Sequence, residues 1–180
     1  MLVQGGAGGV GIALIQLAKL AGARVIATVS GRERADRLLR LGLDAAIDHR
    51  AENVADAVRR LTDGAGADLV VDPVGGHTLP ASLASLKPHG RLVFVGNAGG
   101  GELTLDLWPA MMANLSLTGV FMGAEFDKET VYQNVAGLLA QAARGEIDVV
   151  IDRRFALAEA AQAHRYIAEN QGFGRVLLIA

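Results

Sequence analysis

Residues 1–22 read "MLVQGGAGGVGIALIQLAKLAG": a short apolar stretch, five glycines within positions 5–11, then apolar residues at helical spacing. A glycine turn that leads from a strand straight into a helix is the context in which Gly6, Gly8 and Gly11, spaced GxGxxG, become informative. Gly6 would permit the tight turn, Gly8 would let the backbone approach a pyrophosphate, and Gly11 would let the helix pack closely on the strand. Gly9 and Val10 open the helix, whose N-terminal N–H groups and dipole favour phosphate. No Lys-Ser or Lys-Thr follows the glycines, so a Walker loop is excluded. A glycine turn with no ligand is the competing reading, and the rest of the chain weighs against it.

The rest of the chain alternates. The β-branched runs "RVIATVS" (24–30), "AAID" (45–48), "ADLVVD" (67–72), "RLVFVG" (91–96) and "LSLTGVF" (115–121) are separated by segments with helical periodicity near 32–41, 52–62, 77–86 and 128–144. In the first of these helices Glu33 and Arg37, then Asp36 and Arg40, stand at i,i+4, with Leu38, Leu39 and Leu41 expected on the opposite face. Continuous apolar strands joined by helices predict an α/β, doubly wound parallel sheet, a Rossmann fold, over residues 1–146. Past Gly145 the rhythm changes to strand, helix and terminal strand, read as an appendage over residues 147–180.

Bulk properties narrow the partners. The 180 residues are 51% hydrophobic and 20% charged, enough for one sizeable core and too apolar for disorder. Net charge is −2 and no run of like charges occurs, so nothing solicits nucleic acid or an acidic membrane, and a small-molecule substrate is expected. The absence of cysteine removes disulfides, thiol catalysis and thiolate zinc sites together, and a cytoplasmic setting is expected. The apolar helix after Gly11 is interrupted by Gln16 and Lys19, which fits neither a signal peptide nor a membrane span.

Two more glycine clusters, "DPVGG" (72–76) and "VGNAGGG" (95–101), fall just past strand ends on the same sheet edge. Ligands of open α/β sheets lie there, so Val74, Gly75, Gly96 and Asn97 are candidates to face the nicotinamide half of a dinucleotide; ordinary strand-to-helix turns are the alternative. Where an NAD site usually has an acid, at the end of the second strand, this chain has Ser30, followed by Arg32 and Arg34, with His49 and Arg50 after the third strand. A hydroxyl with guanidinium groups suits a 2′-phosphate, which favours NADP over NAD. Ser30 and Glu33 also form the S-x-x-E pattern of a helix capping box, which would account for the serine without a ligand.

"QGGAGGVGIALIQLAKLAGARVIATVSG", "LGLDAAIDHR", "GADLVVDPVGG" and "AHRYIAENQGFGRVLLIA" occur in an order and at a spacing that resemble the medium-chain dehydrogenase/reductase superfamily, in its zinc-free quinone oxidoreductase (zeta-crystallin-like) and enoyl reductase branch. The resemblance implies that the position of Ser30 lies beside the adenosine 2′-phosphate and that a basic residue at Arg34 contacts it. The position of His49 is often tyrosine in that family, so histidine is a departure, though one able to donate to phosphate or stack on adenine. Gly174-Arg175 matches a Gly-Lys pair near the family's C-terminus. Full members begin with a GroES-like catalytic domain, to which residues from about 147 onward would return. The resemblance thus implies a chain starting at the cofactor-domain boundary, the strand near 115–121 pairing with its twin in a homodimer, and NADPH bound but not turned over by this segment alone.

Other chemistries find little support. Neither Tyr132 nor Tyr166 has a lysine four residues on, which disfavours the short-chain reductase pair. His49, His77, His89 and His164 show no paired metal spacing, and no Ser-His-Asp arrangement is suggested, so no catalytic side chain and no metal ligand is assigned. The expected function is the cofactor domain of an oxidoreductase passing hydride from NADPH to a quinone or enone/enoyl acceptor. An enoyl reductase domain excised from a multidomain synthase and a non-catalytic dinucleotide-binding module remain the alternatives.

Overall fold

Six short parallel strands form one sheet in the order β3-β2-β1-β4-β5-β6 in the computed structural model, which describes residues 1–169 and 172–180. The strands are β1 (Leu2–Val3), β2 (Ile26–Val29), β3 (Ala45–Asp48), β4 (Ala67–Asp72), β5 (Leu86–Phe94) and β6 (Ser116–Gly119). Between them run α1 (Gly9–Leu20), α2 (Arg32–Arg40), α3 (Val54–Leu61), α4 (Leu79–Ala84) and α5 (Trp108–Met112). This strand order is that of the Rossmann fold, with its reversal between β1 and β4. The closing motif "AHRYIAENQGFGRVLLIA" includes positions 170 and 171, which lie outside the described residues.

The sheet is covered on both faces because successive side chains of a strand point to opposite sides. Leu2, Ile26, Ile47, Val70 and Leu92 pack on one face with Val58 of α3 and Leu79 and Leu83 of α4. Val3, Ala27 and Val29 pack on the other with Ile12 and Ile15 of α1 and Leu38 of α2. Helix α3 is capped by Asn53, whose side chain accepts the Asp56 N–H at 3.1 Å.

Beyond the sheet come α6 (Glu129–Ala143), β7 (Ile151–Ala156), α7 (Ala160–Ala168) and β8 (Arg175–Ile179), with β7 and β8 pairing in parallel as a separate two-stranded sheet. This C-terminal strand-helix-strand shares the core of the larger unit, because Phe173 is 2% exposed among Val3, Ile12 and Ile15, with Val150 packed beside them. Arg37 explains part of that attachment. Its guanidinium lies 3.8 Å from the Phe173 ring centroid and bonds Asp152 at 3.2 Å, so it serves this junction, whereas Arg32 pairs with Asp36 at i,i+4. Leu39, expected on the buried face of α2, is 44% exposed, while Leu38 is fully buried with Ala35 and Leu41 packed at the edge of the same core. The α5 turn was not anticipated, being only five residues long, with Pro109 in its first turn.

Candidate functional site

All six strands of the main sheet are parallel, so the segments after β1, β2, β3, β4 and β5 emerge on one edge. The first is the glycine loop. Its positive φ belongs to Gly5 (62°), which makes the turn, while Gly6 sits against β2 so closely that an added Cβ would lie 2.7 Å from Ala27 Cβ. The conformational freedom expected of Gly6 is therefore supplied one residue earlier. Gly11 packs on the loop backbone, where a Cβ would stand 2.5 Å from the Gly5 carbonyl oxygen and 2.7 Å from Gly6 Cα. Gly8 differs: a Cβ there would meet nothing nearer than Gly5 O at 3.5 Å, so the fold itself does not demand glycine.

Gly8 is the N-cap of α1, which has no side-chain cap and no acid in its first turn. The N–H groups of Gly9, Val10 and Gly11 are those a helix leaves without an intrahelical acceptor, and they follow the end of β1 on this edge. The Arg175 side chain packs directly against Gly9, and β8 is tied to the loop by a parallel bridge between Gly8 and Gly174 and by the Gly174 N–H on Ala7 O at 2.8 Å. A guanidinium beside an uncapped helix N-terminus is an arrangement fitted to an anion. The Gly174-Arg175 pair was visible in the sequence, but nothing there placed it against residue 9.

At the ends of β2 and β3 the structure brings Ser30 and His49 together, with Ser30 Oγ 2.9 Å from His49 Nε2. This pairing replaces the expected capping box. The N-cap of α2 is Gly31 (φ 83°), without a side-chain cap bond, because the Ser30 hydroxyl is turned across to β3. Arg34 is half-buried on the first turns of α2, whereas the Arg32 side chain is 94% exposed and leans toward Asp36. The Asp48 carboxylate accepts the Arg50 N–H at 3.1 Å; that bond, with help from the Gly31 N–H, holds its pKa below the usual range.

The segments after β4 and β5 meet. A Cβ on Gly75 (φ 70°) would fall 2.5 Å from Gly96 O and 2.8 Å from Asn97 Oδ1, and the Gly99 N–H bonds Val74 O at 2.8 Å. Val74, Gly75, Gly96 and Asn97 thus form one wall. Behind it lies a buried polar chain that sequence reasoning did not find. The Gly5 N–H donates to Thr28 Oγ1 (2.9 Å), Thr28 to Gln4 Oε1 (2.8 Å), Gln4 Nε2 to Ser82 Oγ (2.9 Å) and Ser82 to Asp72 Oδ2 (2.7 Å). Asp72 also receives the N–H groups of Val74 and Gly75, both at 2.9 Å, and the Thr78 hydroxyl at 2.8 Å. Gln4, Thr28, Asp72 and Ser82 are each no more than 2% exposed. Thr28 and Asp72 inside otherwise apolar strands were the available signal, but their partners lie far apart in sequence.

An edge with an uncapped helix N-terminus, glycine-lined walls and a hydroxyl–imidazole pair is the kind of edge at which Rossmann folds take dinucleotides. The family described as zinc-binding dehydrogenase matches residues 9–141. The chain belongs to that family, in its zinc-free, quinone oxidoreductase-like branch of the medium-chain dehydrogenase/reductases, and corresponds to the C-terminal part of its members. A quinone oxidoreductase of Pseudomonas aeruginosa is 38% identical over 99% of this chain and 56% of its own length. The Escherichia coli quinone oxidoreductase complexed with NADPH superposes with a TM-score of 0.91 at 28% identity, over 99% of this chain and 56% of that one. A phenolphthiocerol/phthiocerol polyketide synthase of Mycobacterium tuberculosis is 28% identical over 99% of this chain and 8% of its own length. The chain therefore spans about half the length of the quinone oxidoreductases it matches.

Proposed function

We propose that this chain is the NADP(H)-binding part of an oxidoreductase acting on a quinone or an enone/enoyl substrate. The observation that carries this reading is the uncapped N-terminus of α1 at the β1–β4 crevice, flanked at the next strand ends by the Ser30–His49 pair. When bound, the reduced nicotinamide supplies a hydride to the acceptor, with a proton taken from solvent. The chain's own residues bind and orient. The backbone of Gly6, Gly8, Gly9, Val10 and Gly11 cradles the pyrophosphate, with Arg175 beside Gly9 adding positive charge. Ser30, Arg34 and His49 take the 2′-phosphate, and Val74, Gly75, Gly96 and Asn97 line the nicotinamide side. No side chain here is assigned as acid, base or metal ligand.

Fluorescence titration with NADPH and NADH tests the reading. Arg34→Ala is expected to weaken NADPH by about 1.5–3 kcal/mol, the worth of a charge-assisted bond, and to leave NADH nearly unchanged. Equal losses for both cofactors would refute the 2′-phosphate assignment. The same sample should reduce quinones at no useful rate, since proximity alone is worth about 7–11 kcal/mol of barrier and the acceptor's side of the cleft belongs to the rest of the protein. Robust turnover by this chain would show the active site to be misplaced.

Residues 1–146 are taken as the dinucleotide-binding unit and 147–180 as the segment that returns to a GroES-like domain. Support comes from the two-stranded β7–β8 sheet, whose surroundings expose Val149, Leu157, Ile167, Leu178 and Ile179. We also propose a homodimer through β6, the edge strand of the sheet, with Val120, Phe121 and Met122 exposed beside it. A cytoplasmic setting suits a chain without cysteine, and among the described residues no helix is long and apolar enough to cross a membrane. The likeness to the polyketide synthase favours one second reading, an enoyl reductase domain of a multidomain synthase. Assaying a longer chain on quinones and on enoyl thioesters separates the two.

A further inference from the structure

The buried chain from Gly5 to Asp72 runs between the two halves of the site, and its direction is fixed. A carboxylate accepts and does not donate, so Ser82 must give its proton to Asp72 and receive from the Gln4 amide nitrogen; the Gln4 oxygen is then left for Thr28, whose own oxygen receives the Gly5 N–H. At one end hangs the glycine loop. At the other, Asp72 holds the N–H groups of Val74 and Gly75, and through them Gly99 and the Gly96–Asn97 contact. Four polar side chains removed from water are justified energetically only when every donor and acceptor is satisfied, and a partly satisfied chain reorganises.

We infer that Gln4 and Ser82 are positioning residues that hold the loops after β4 and β5 in register with the glycine loop, so that one dinucleotide engages both at once. This rests on the dinucleotide reading above. Neither side chain touches the cofactor; each acts through the loops. A ligand spanning two half-sites binds tightly only while their separation matches its length, so breaking the chain should penalise the full dinucleotide and spare a ligand confined to one half.

The probes are NADPH and adenosine 2′,5′-bisphosphate, which carries the adenosine and 2′-phosphate without the nicotinamide. Calorimetric titration of the unaltered chain should give tighter binding for NADPH. Ser82→Ala and Gln4→Leu should each cut that advantage by roughly three- to tenfold, leave the bisphosphate within about twofold, and show strong non-additivity when combined, because both break the same chain. If Ser82→Ala fails to fold, Gln4→Leu decides alone, since it leaves Asp72 with all its donors. Parallel loss of both probes, an unchanged ratio in a folded variant, or NADPH binding no tighter than the bisphosphate in the unaltered chain would overturn the inference. Binding of neither probe by the unaltered chain would instead overturn the cofactor reading itself.

Discussion

Gly8 and Gly11 lie three residues apart in one glycine motif, yet alanine should act differently at the two positions. At Gly11 the new methyl would stand 2.5 Å from Gly5 O and 2.7–2.8 Å from the Gly6 backbone, so α1 must lift off the loop. Overpacking of this kind costs about 1–3 kcal/mol. For a chain of this size that is roughly 2–12 °C in Tm. At Gly8 the nearest atom is 3.5 Å away and the backbone, at φ −77° and ψ 164°, is one alanine adopts freely. Gly8→Ala should therefore change stability by no more than about 1 kcal/mol, the smaller entropy of its unfolded state opposing the poorer helix N-cap that alanine makes. The methyl would occupy the space a pyrophosphate must enter, and NADPH should bind about 1–3 kcal/mol more weakly, roughly 5- to 150-fold. Thermal unfolding and NADPH titration on both variants measure the contrast. A Gly8→Ala protein that is stable and binds NADPH as tightly as the unaltered chain would refute the argument that the open space at residue 8 is kept for phosphate.

Light scattering at tens of micromolar should find a dimer, because an unpaired strand edge at β6 followed by exposed Val120, Phe121 and Met122 is a liability unless covered; a monomer counts against that pairing. Asp152 gives a pH dependence of stability. Burial pushes its carboxyl up, but the Tyr166 hydroxyl at 2.7 Å, the Phe173 N–H and Arg37 outweigh burial and hold it below its ordinary value. With the folded value depressed, its contribution is complete above the unfolded pKa of about 4 and fades as pH falls through the folded one. Asp152→Asn should accordingly flatten the acid limb of a urea-midpoint profile below about pH 4, and an unaltered slope would show that the carboxylate is not the group responsible.

The doubly wound sheet was legible because its strands are short apolar runs and its helices carry period-3.6 patterns, and "AAID" and "ADLVVD" coincide with β3 and β4. Local patterns misled where a side chain had a distant option. Ser30 and Glu33 have the spacing of a capping box, but the hydroxyl finds His49 just past the neighbouring strand, and Gly31 takes the cap position with a backbone angle only glycine reaches easily. Glu33 and Arg37 have i,i+4 spacing, but Arg37 gains a carboxylate and an aromatic ring from the C-terminal segment. Gln4, Thr28, Asp72 and Ser82 become neighbours only once β1, β2, β4 and α4 are assembled. No periodicity within a window reports that.

The parallel bridge between Gly8 and Gly174, and the burial of Phe173 among Val3, Ile12 and Ile15, have a consequence for biosynthesis. Residues of the glycine loop leave the ribosome well before the strand that steadies them and the arginine that flanks them. At about 5–20 residues per second the interval is roughly ten to thirty seconds, during which the loop has neither its aromatic support nor its added charge. Ligand competence should thus arrive late and abruptly along the nascent chain. Arrested chains that stop before Phe173 should gain no protease protection from NADPH, and chains long enough to expose Ile179 should gain it; protection of the shorter ones would show that the loop matures without β8.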